Sequence, residues 1–197
     1  MLTRRQCYFL FCSGLATAFL SRPGYADHNV DVTATVINNT CRLEVNDNGV
    51  VRLPTVKLDY FSNEITAETD YAGGQNFTLR LVDCPVSDDK ISQVLFTFSP
   101  QQGALPADNL QVFANELAQN NDGAKNVGVV IFSAQSNATR FNVLDVNGMS
   151  KAIYSLPDSN YSNSQWTFYA RMQKIVSMED VSSGLVTARV LVNISYQ

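Results

Sequence analysis

The sequence is poor in the residues that catalysis and metal binding usually require. It has one histidine, His28, and one tryptophan, Trp166, and two of its four cysteines, Cys7 and Cys12, lie near its start. No Cys-x-x-Cys pair or histidine-rich tract is present to hold zinc. No serine or cysteine stands in a nucleophile motif, and a lone histidine is a surface residue more often than a base. Gly73-Gly74 lacks the further glycine and lysine of a phosphate loop. Residues 44–49 (EVNDNG) look superficially like the start of a calcium loop. They begin with Glu44 rather than an aspartate, however, and Thr55 stands where a bidentate glutamate is needed, so they read as a turn. These absences predict no enzymatic activity, no metal and no cofactor.

Positive charge is scarce too. Fourteen Lys and Arg stand against eighteen Asp and Glu, a formal net charge of −4, and no basic cluster stands out. Such a surface repels nucleic acid and anionic lipid, so no nucleic-acid partner is expected. Apolar runs are short: that over residues 7–20 falls below the roughly 20 residues a spanning helix needs, which argues against stable membrane insertion. Arg4 and Arg5 precede this run. Pro23 and Gly24 follow it, and Gly24-Tyr25-Ala26 ends on small residues. That order is the layout of a secretory signal peptide, residues 1–26, cut after Ala26. Cleavage would remove three arginines and no acid, taking the net charge to about −7, and would leave Cys41 and Cys84. An even pair in an exported chain is most simply a disulfide.

The remainder has no sustained 3.6-residue period, internal repeat or linker, and therefore reads as one domain. It consists of short alternating runs rich in Val, Ile, Phe and Thr, separated by Gly, Asn, Asp and Pro, as in a β-sandwich. Phe77, Leu79 and Leu81 alternate with Thr78, Arg80 and Val82. Val94, Phe96 and Phe98 form a second strand, ended by Pro100. NVGVVIF (126–132) is almost continuously apolar and is expected to be a central strand covered on both faces. QWTFYARM (165–172) is strand-like and aromatic, residues 141–146 before Asn147-Gly148 suit a hairpin arm, and residues 50–56 suit an extended segment interrupted by Pro54. Residues 110–118 fit either a short helix or a strand. Trp166 and the tyrosines near it could form a sugar-binding face, although aromatics in a strand more often belong to the core.

The two ends carry the most information. In residues 186–196, Ala188, Val190, Val192, Ile194 and Tyr196 share one face, while Arg189, Leu191, Asn193 and Ser195 share the other. No later element is expected to pair with this strand, and an apolar edge is a hazard that proteins usually blunt with charge, proline or a cover. Residues 27–40, ahead of Cys41, form another alternating segment with Val30, Val32, Ala34 and Val36 on one face. A strand of one copy entering the edge of the next would give an open, head-to-tail filament. Periodicity alone equally allows both segments to be ordinary internally paired strands.

Taken together, the alternating extension before Cys41, FTLRLVDC ending at Cys84, NVGVVIF, FYARM and the terminal GLVTARVLVNISYQ resemble the pilins of the chaperone–usher pathway, the type 1 fimbrial subunit family. The resemblance covers residues 27–197, and Gly184 with the penultimate Tyr196 is similar to the family's C-terminal signature. It implies an all-β, immunoglobulin-like sandwich lacking its last strand (41–197), with an N-terminal donor-strand extension (27–40). It implies a structural subunit of a fimbria, or pilus, that polymerises by donor-strand exchange and supports cell adhesion. The partners so implied are neighbouring pilin subunits, a periplasmic chaperone and an outer-membrane usher, on a route through the periplasm to the cell surface. Carried over, Val30, Val32, Ala34 and Val36 would be the donor side chains. Gly184, Ala188, Val190, Val192, Ile194 and Tyr196 would form the acceptor groove and chaperone contact, and Cys41 and Cys84 the family's disulfide. Ala34 stands where many extensions have glycine, and His28 where an apolar residue is common. The alternative is a self-contained secreted β-sandwich, with carbohydrate binding as a candidate role. A periplasmic chaperone fits poorly, because such chains resemble basic two-domain proteins.

Overall fold

Alternation in the sequence becomes two facing β-sheets in a computed structural model, which describes residues 41–62, 64–84, 92–135, 140–156 and 161–197. In chain order the strands are β1 Arg42–Val45, β2 Gln75–Val82, β3 Gln93–Pro100, β4 Phe113–Ala114, β5 Val127–Ser133, β6 Phe141–Asn142, β7 Ala152–Ser155, β8 Gln165–Lys174 and β9 Val190–Tyr196. One sheet runs β1-β2-β8-β5-β4, with β6 also on β5; the other runs β7-β3-β9. Every pairing between these strands is antiparallel. The chain is all-β, and no α-helix occurs among the described residues.

The core fills the space between the sheets. Phe77, Leu79 and Leu81 of β2 and Phe168 and Trp166 of β8 meet Val94, Phe96 and Phe98 of β3. Phe168 lies at the centre, with ring centroids 5.6 Å from Phe77, 5.9 Å from Phe96 and 5.4 Å from Phe98. Trp166 is only 4% exposed and lies 5.0 Å from Phe96, edge to face, so it is a core residue and presents no sugar-binding face. Every residue of β5 is buried, which matches its unbroken apolar character.

Two segments depart from their sequence patterns. Residues 50–57 make no regular ladder: Pro54 has no N–H to donate, and no strand lies beside this stretch among the described residues. Residues 110–118 resolve into turns around the two-residue β4. Asn115 organises them. Its side-chain amide donates to the carbonyls of Ala124 (2.7 Å) and Leu185 (2.8 Å), and its side-chain oxygen accepts from Thr187 N–H (2.9 Å). The hairpin expected at Asn147-Gly148 is present as a turn, with Gly148 N–H on Asp145 O at 2.9 Å and Gly148 at φ +77°.

A disulfide joins Cys41 to Cys84 at the open end of the β1–β2 ladder, where Arg42 faces Val82. Closing a loop of 43 residues contributes about 3–4 kcal/mol by restricting the unfolded chain. Two stability measurements check this account. Cys41→Ala with Cys84→Ala should lower the unfolding free energy in denaturant titrations by about that amount. Phe168→Ala should cost about 3–5 kcal/mol, more than the exposed Leu191→Ala on the outer face, which should cost under about 1 kcal/mol.

Candidate strand-acceptor groove

The last strand carries the site. Gln93 and Gln197 exchange two main-chain hydrogen bonds, Gln93 N–H to Gln197 O at 2.9 Å and Gln197 N–H to Gln93 O at 3.0 Å. Antiparallel alternation then places the next bonded pairs at Leu95–Ser195, Thr97–Asn193 and Ser99–Leu191. The N–H and C=O of Leu191, Asn193 and Ser195 are thus spent on β3. Those of Val190, Val192, Ile194 and Tyr196 point to the opposite edge. Pro100 faces Val190 at a position where β3 need not donate to β9, so its missing N–H costs this ladder nothing. Among the described residues β9 pairs with β3 alone, and its other edge has no strand beside it.

The same four residues turn their side chains inward. Val190, Val192, Ile194 and Tyr196 are half-buried against the core, whereas Leu191, Asn193 and Ser195 are exposed. Beyond the free edge lies an open groove of about 600 Å³. Val186, Ala188, Val190 and Val192 form one wall, and Val45, Val51 and Leu53 the other. Phe77, Leu79, Phe98, Ile131 and Ala170 form its floor. The lining is mainly apolar; its polar side chains are Arg52, Thr187 and Arg189, the last held by Glu116 at 2.9 Å.

The groove closes toward Tyr196. The Tyr196 hydroxyl accepts a hydrogen bond from Cys41 N–H at 3.2 Å, and its ring packs 6.3 Å from that of Tyr161. Burial pushes the Tyr196 pKa up, and the Cys41 N–H partly opposes this. Cys41 is therefore fixed beside the end of β9.

A family model described as Fimbrial protein matches residues 30–197, which is most of the sequence. The chain belongs to the fimbrial protein family. This fimbrial chain is also 37% identical, over 190 residues, to the uncharacterized fimbrial-like protein YadK of Escherichia coli (strain K12), covering 95% of the chain and 91% of that protein. Among solved structures it is similar to the P pilus rod subunit PapA, with a TM-score of 0.48, 13% identity and coverage of 79% of this chain and 99% of that one. It is also similar to the CupB6 tip adhesin of Pseudomonas aeruginosa, with a TM-score of 0.42, 11% identity and coverage of 62% and 30%. It is a fimbrial subunit, a component of the surface fimbrium.

The residues expected to form the acceptor site divide into three groups in the fimbrial chain. Ala188, Val190 and Val192 line the open groove, joined by Val186, whereas Ile194 and Tyr196 continue the same face where the groove is closed. Gly184 stands outside the lining and anchors the wall: Leu185 N–H bonds Asp122 O at 2.8 Å, and Ala124 N–H bonds Leu185 O at 3.0 Å. A Cβ on Gly184 would come within 2.4 Å of Ala124 N and 2.6 Å of Gly123 C. Val30, Val32, Ala34 and Val36 lie outside the described residues. Sequence reasoning missed the opposite wall. Val45 to Leu53 carries only three inward apolar residues around a turn in which Asp47 and Asn48 adopt positive φ. Gly184→Ala should push the 184–189 segment off residues 122–124, lower stability by about 1–3 kcal/mol in denaturant titration, and speed amide exchange at Ala124 and Leu185.

Proposed function

We propose that this fimbrial subunit polymerises by strand exchange, with the groove beside β9 receiving residues 27–40 of a neighbouring copy or related subunit. The observation that carries the reading is the free edge of β9 over an open apolar groove. Two separate needs meet there. Among the described residues the main-chain groups of Val190, Val192, Ile194 and Tyr196 have no ladder, and the half-buried side chains of Val186, Ala188, Val190 and Val192 border an open groove; one inserted strand would supply a ladder to the first and a cover to the second.

The donor pattern suits the slot. Val30 to Val36 spans the same six-residue distance as Val186 to Val192, and both alternate with period two. Each valine buried would contribute about 1.5–3 kcal/mol before ordering costs, and the new ladder would add to this. A joint made by one copy's extension in the next copy's groove is heterologous and does not close on itself, so copies add end to end.

Before assembly the same groove needs a temporary occupant. A periplasmic chaperone would supply a strand there, and an outer-membrane usher would exchange it for the next extension. Residues 1–26 would direct export into the periplasm and be removed. Residues 41–197 would form the pilin domain.

The test uses residues 41–197 and a synthetic peptide of residues 27–40. The shortened chain should be unstable or aggregate alone, and the peptide should convert it to a stable monomer in size-exclusion and thermal-unfolding experiments. A peptide carrying Val32→Asp should lose most of that effect. A shortened chain already stable and monomeric, and indifferent to the peptide, would sink the proposal in favour of a self-contained secreted sandwich.

A further inference from the structure

The outer face of the six-stranded sheet holds a feature that strand exchange does not use. Arg171 of β8 points away from the groove side of its sheet and is fully buried, at 0% exposure. It makes no ion pair among the described residues. Its guanidinium instead donates to the main-chain carbonyls of Thr66 and Thr69, both at 2.7 Å, and to that of Met172 at 3.1 Å. It also donates to the side-chain oxygen of Gln173 at 2.6 Å and lies 5.2 Å over the Phe132 ring. Gln173 in turn donates to Ile65 O at 2.9 Å. Nearby, the Tyr169 hydroxyl donates to Tyr71 O at 2.8 Å and accepts from Gly74 N–H at 2.7 Å.

This network pins the segment 65–74 to β8 by its backbone. Covering a sheet requires only apolar contact, and a buried charge without a counter-charge is a costly way to do it. Among the described residues Arg171 Nε has no hydrogen-bond partner. A buried guanidinium bonded to several carbonyls holds this segment in one position more closely than apolar contact alone would.

The pinned segment borders an open cleft of about 590 Å³. That is within the range of small-ligand sites. Its lining combines the aromatic rings of Tyr60 and Phe61, held edge to face at 5.0 Å, with the carboxylates of Glu64 and Asp108, the amide of Asn109 and the hydroxyl of Ser177. Tyr60 is itself anchored, its hydroxyl donating to Ala72 O at 3.2 Å. An aromatic surface beside short acceptors and carboxylates matches a ligand with one apolar C–H face and a rim of hydroxyl donors. Two carboxylates against the single ammonium of Lys174 disfavour anionic ligands. No metal-binding cluster is found among the described residues to change that balance.

We propose that this cleft binds a neutral saccharide, one to two sugar rings in size, with the ring face on Phe61 and the hydroxyls on Glu64 and Asp108. Because the cleft and the groove lie on opposite faces of the same sheet, an occupied groove leaves the cleft open. The inference therefore stands apart from the strand-exchange reading.

The exported chain, in whatever assembly it is purified, is titrated with methyl glycosides of glucose, galactose, mannose and N-acetylglucosamine, and with their disaccharides, to about 10 mM by saturation-transfer NMR. At least one should bind, and Asp108→Asn combined with Glu64→Gln should weaken it about tenfold or more. Both carboxylates are on exposed residues, so this variant keeps the fold. Phe61→Ala should abolish the transfer signal, and Leu191→Ser, on the other sheet, should leave it unchanged. Binding by none of the probes, or binding indifferent to the carboxylate variant, overturns the proposal.

Discussion

The constraint behind this architecture is that main-chain N–H and C=O groups taken out of water must find partners. In β9 the requirement is met by β3 on one edge, and among the described residues no strand meets it on the other. The residues whose polar groups face the open edge are also those whose side chains face the core, namely Val190, Val192, Ile194 and Tyr196. Hydrogen-bonding need and apolar need thus fall on one line. A water shell could satisfy the first but not the second, and a loose apolar cover could satisfy the second but not the first. An extended chain satisfies both, which is why strand addition is the reading that best suits the groove.

The outer face of the larger sheet solves a related problem by different means. There a crossing segment covers Val130, Phe132 and Tyr169 and is tied down by Arg171 and Gln173. Among the described residues the outer face is closed by this segment, whereas the inner face borders the open groove beside β9. The closed side uses polar pins where packing alone would serve, and the open side uses almost none. This asymmetry separates the surface available for assembly from the surface available for anything else.

Much of the fold was legible because period-two alternation is a local signal. The cores of β2, β3, β5 and β8 coincide with runs visible in the sequence, and the inward face of β9 follows from alternate residues. What was illegible depended on neighbours remote in the chain. Residues 186–188 keep the alternation but leave the ladder, because Asn115 and Glu116 take the main-chain bonds of Thr187. Residues 50–57 look extended and have no strand beside them among the described residues. Arg171 was passed over as one polar residue in an aromatic run. Its immediate neighbours Ala170 and Met172 lie on the opposite face, and on its own face Thr167, Tyr169 and Gln173 carry polar groups, so local alternation gave no sign that this face is covered.

The disulfide determines how force enters the molecule. A pull on the chain ahead of Cys41 divides at the sulfur bridge, one branch running along β1 and the other passing directly to the Cys84 end of β2. The four-residue β1 is thereby bypassed, and the load reaches a strand laddered on both sides, to β1 and to β8. Tension along that line meets the β2–β8 ladder lengthwise, so its bonds are strained together rather than opened one after another.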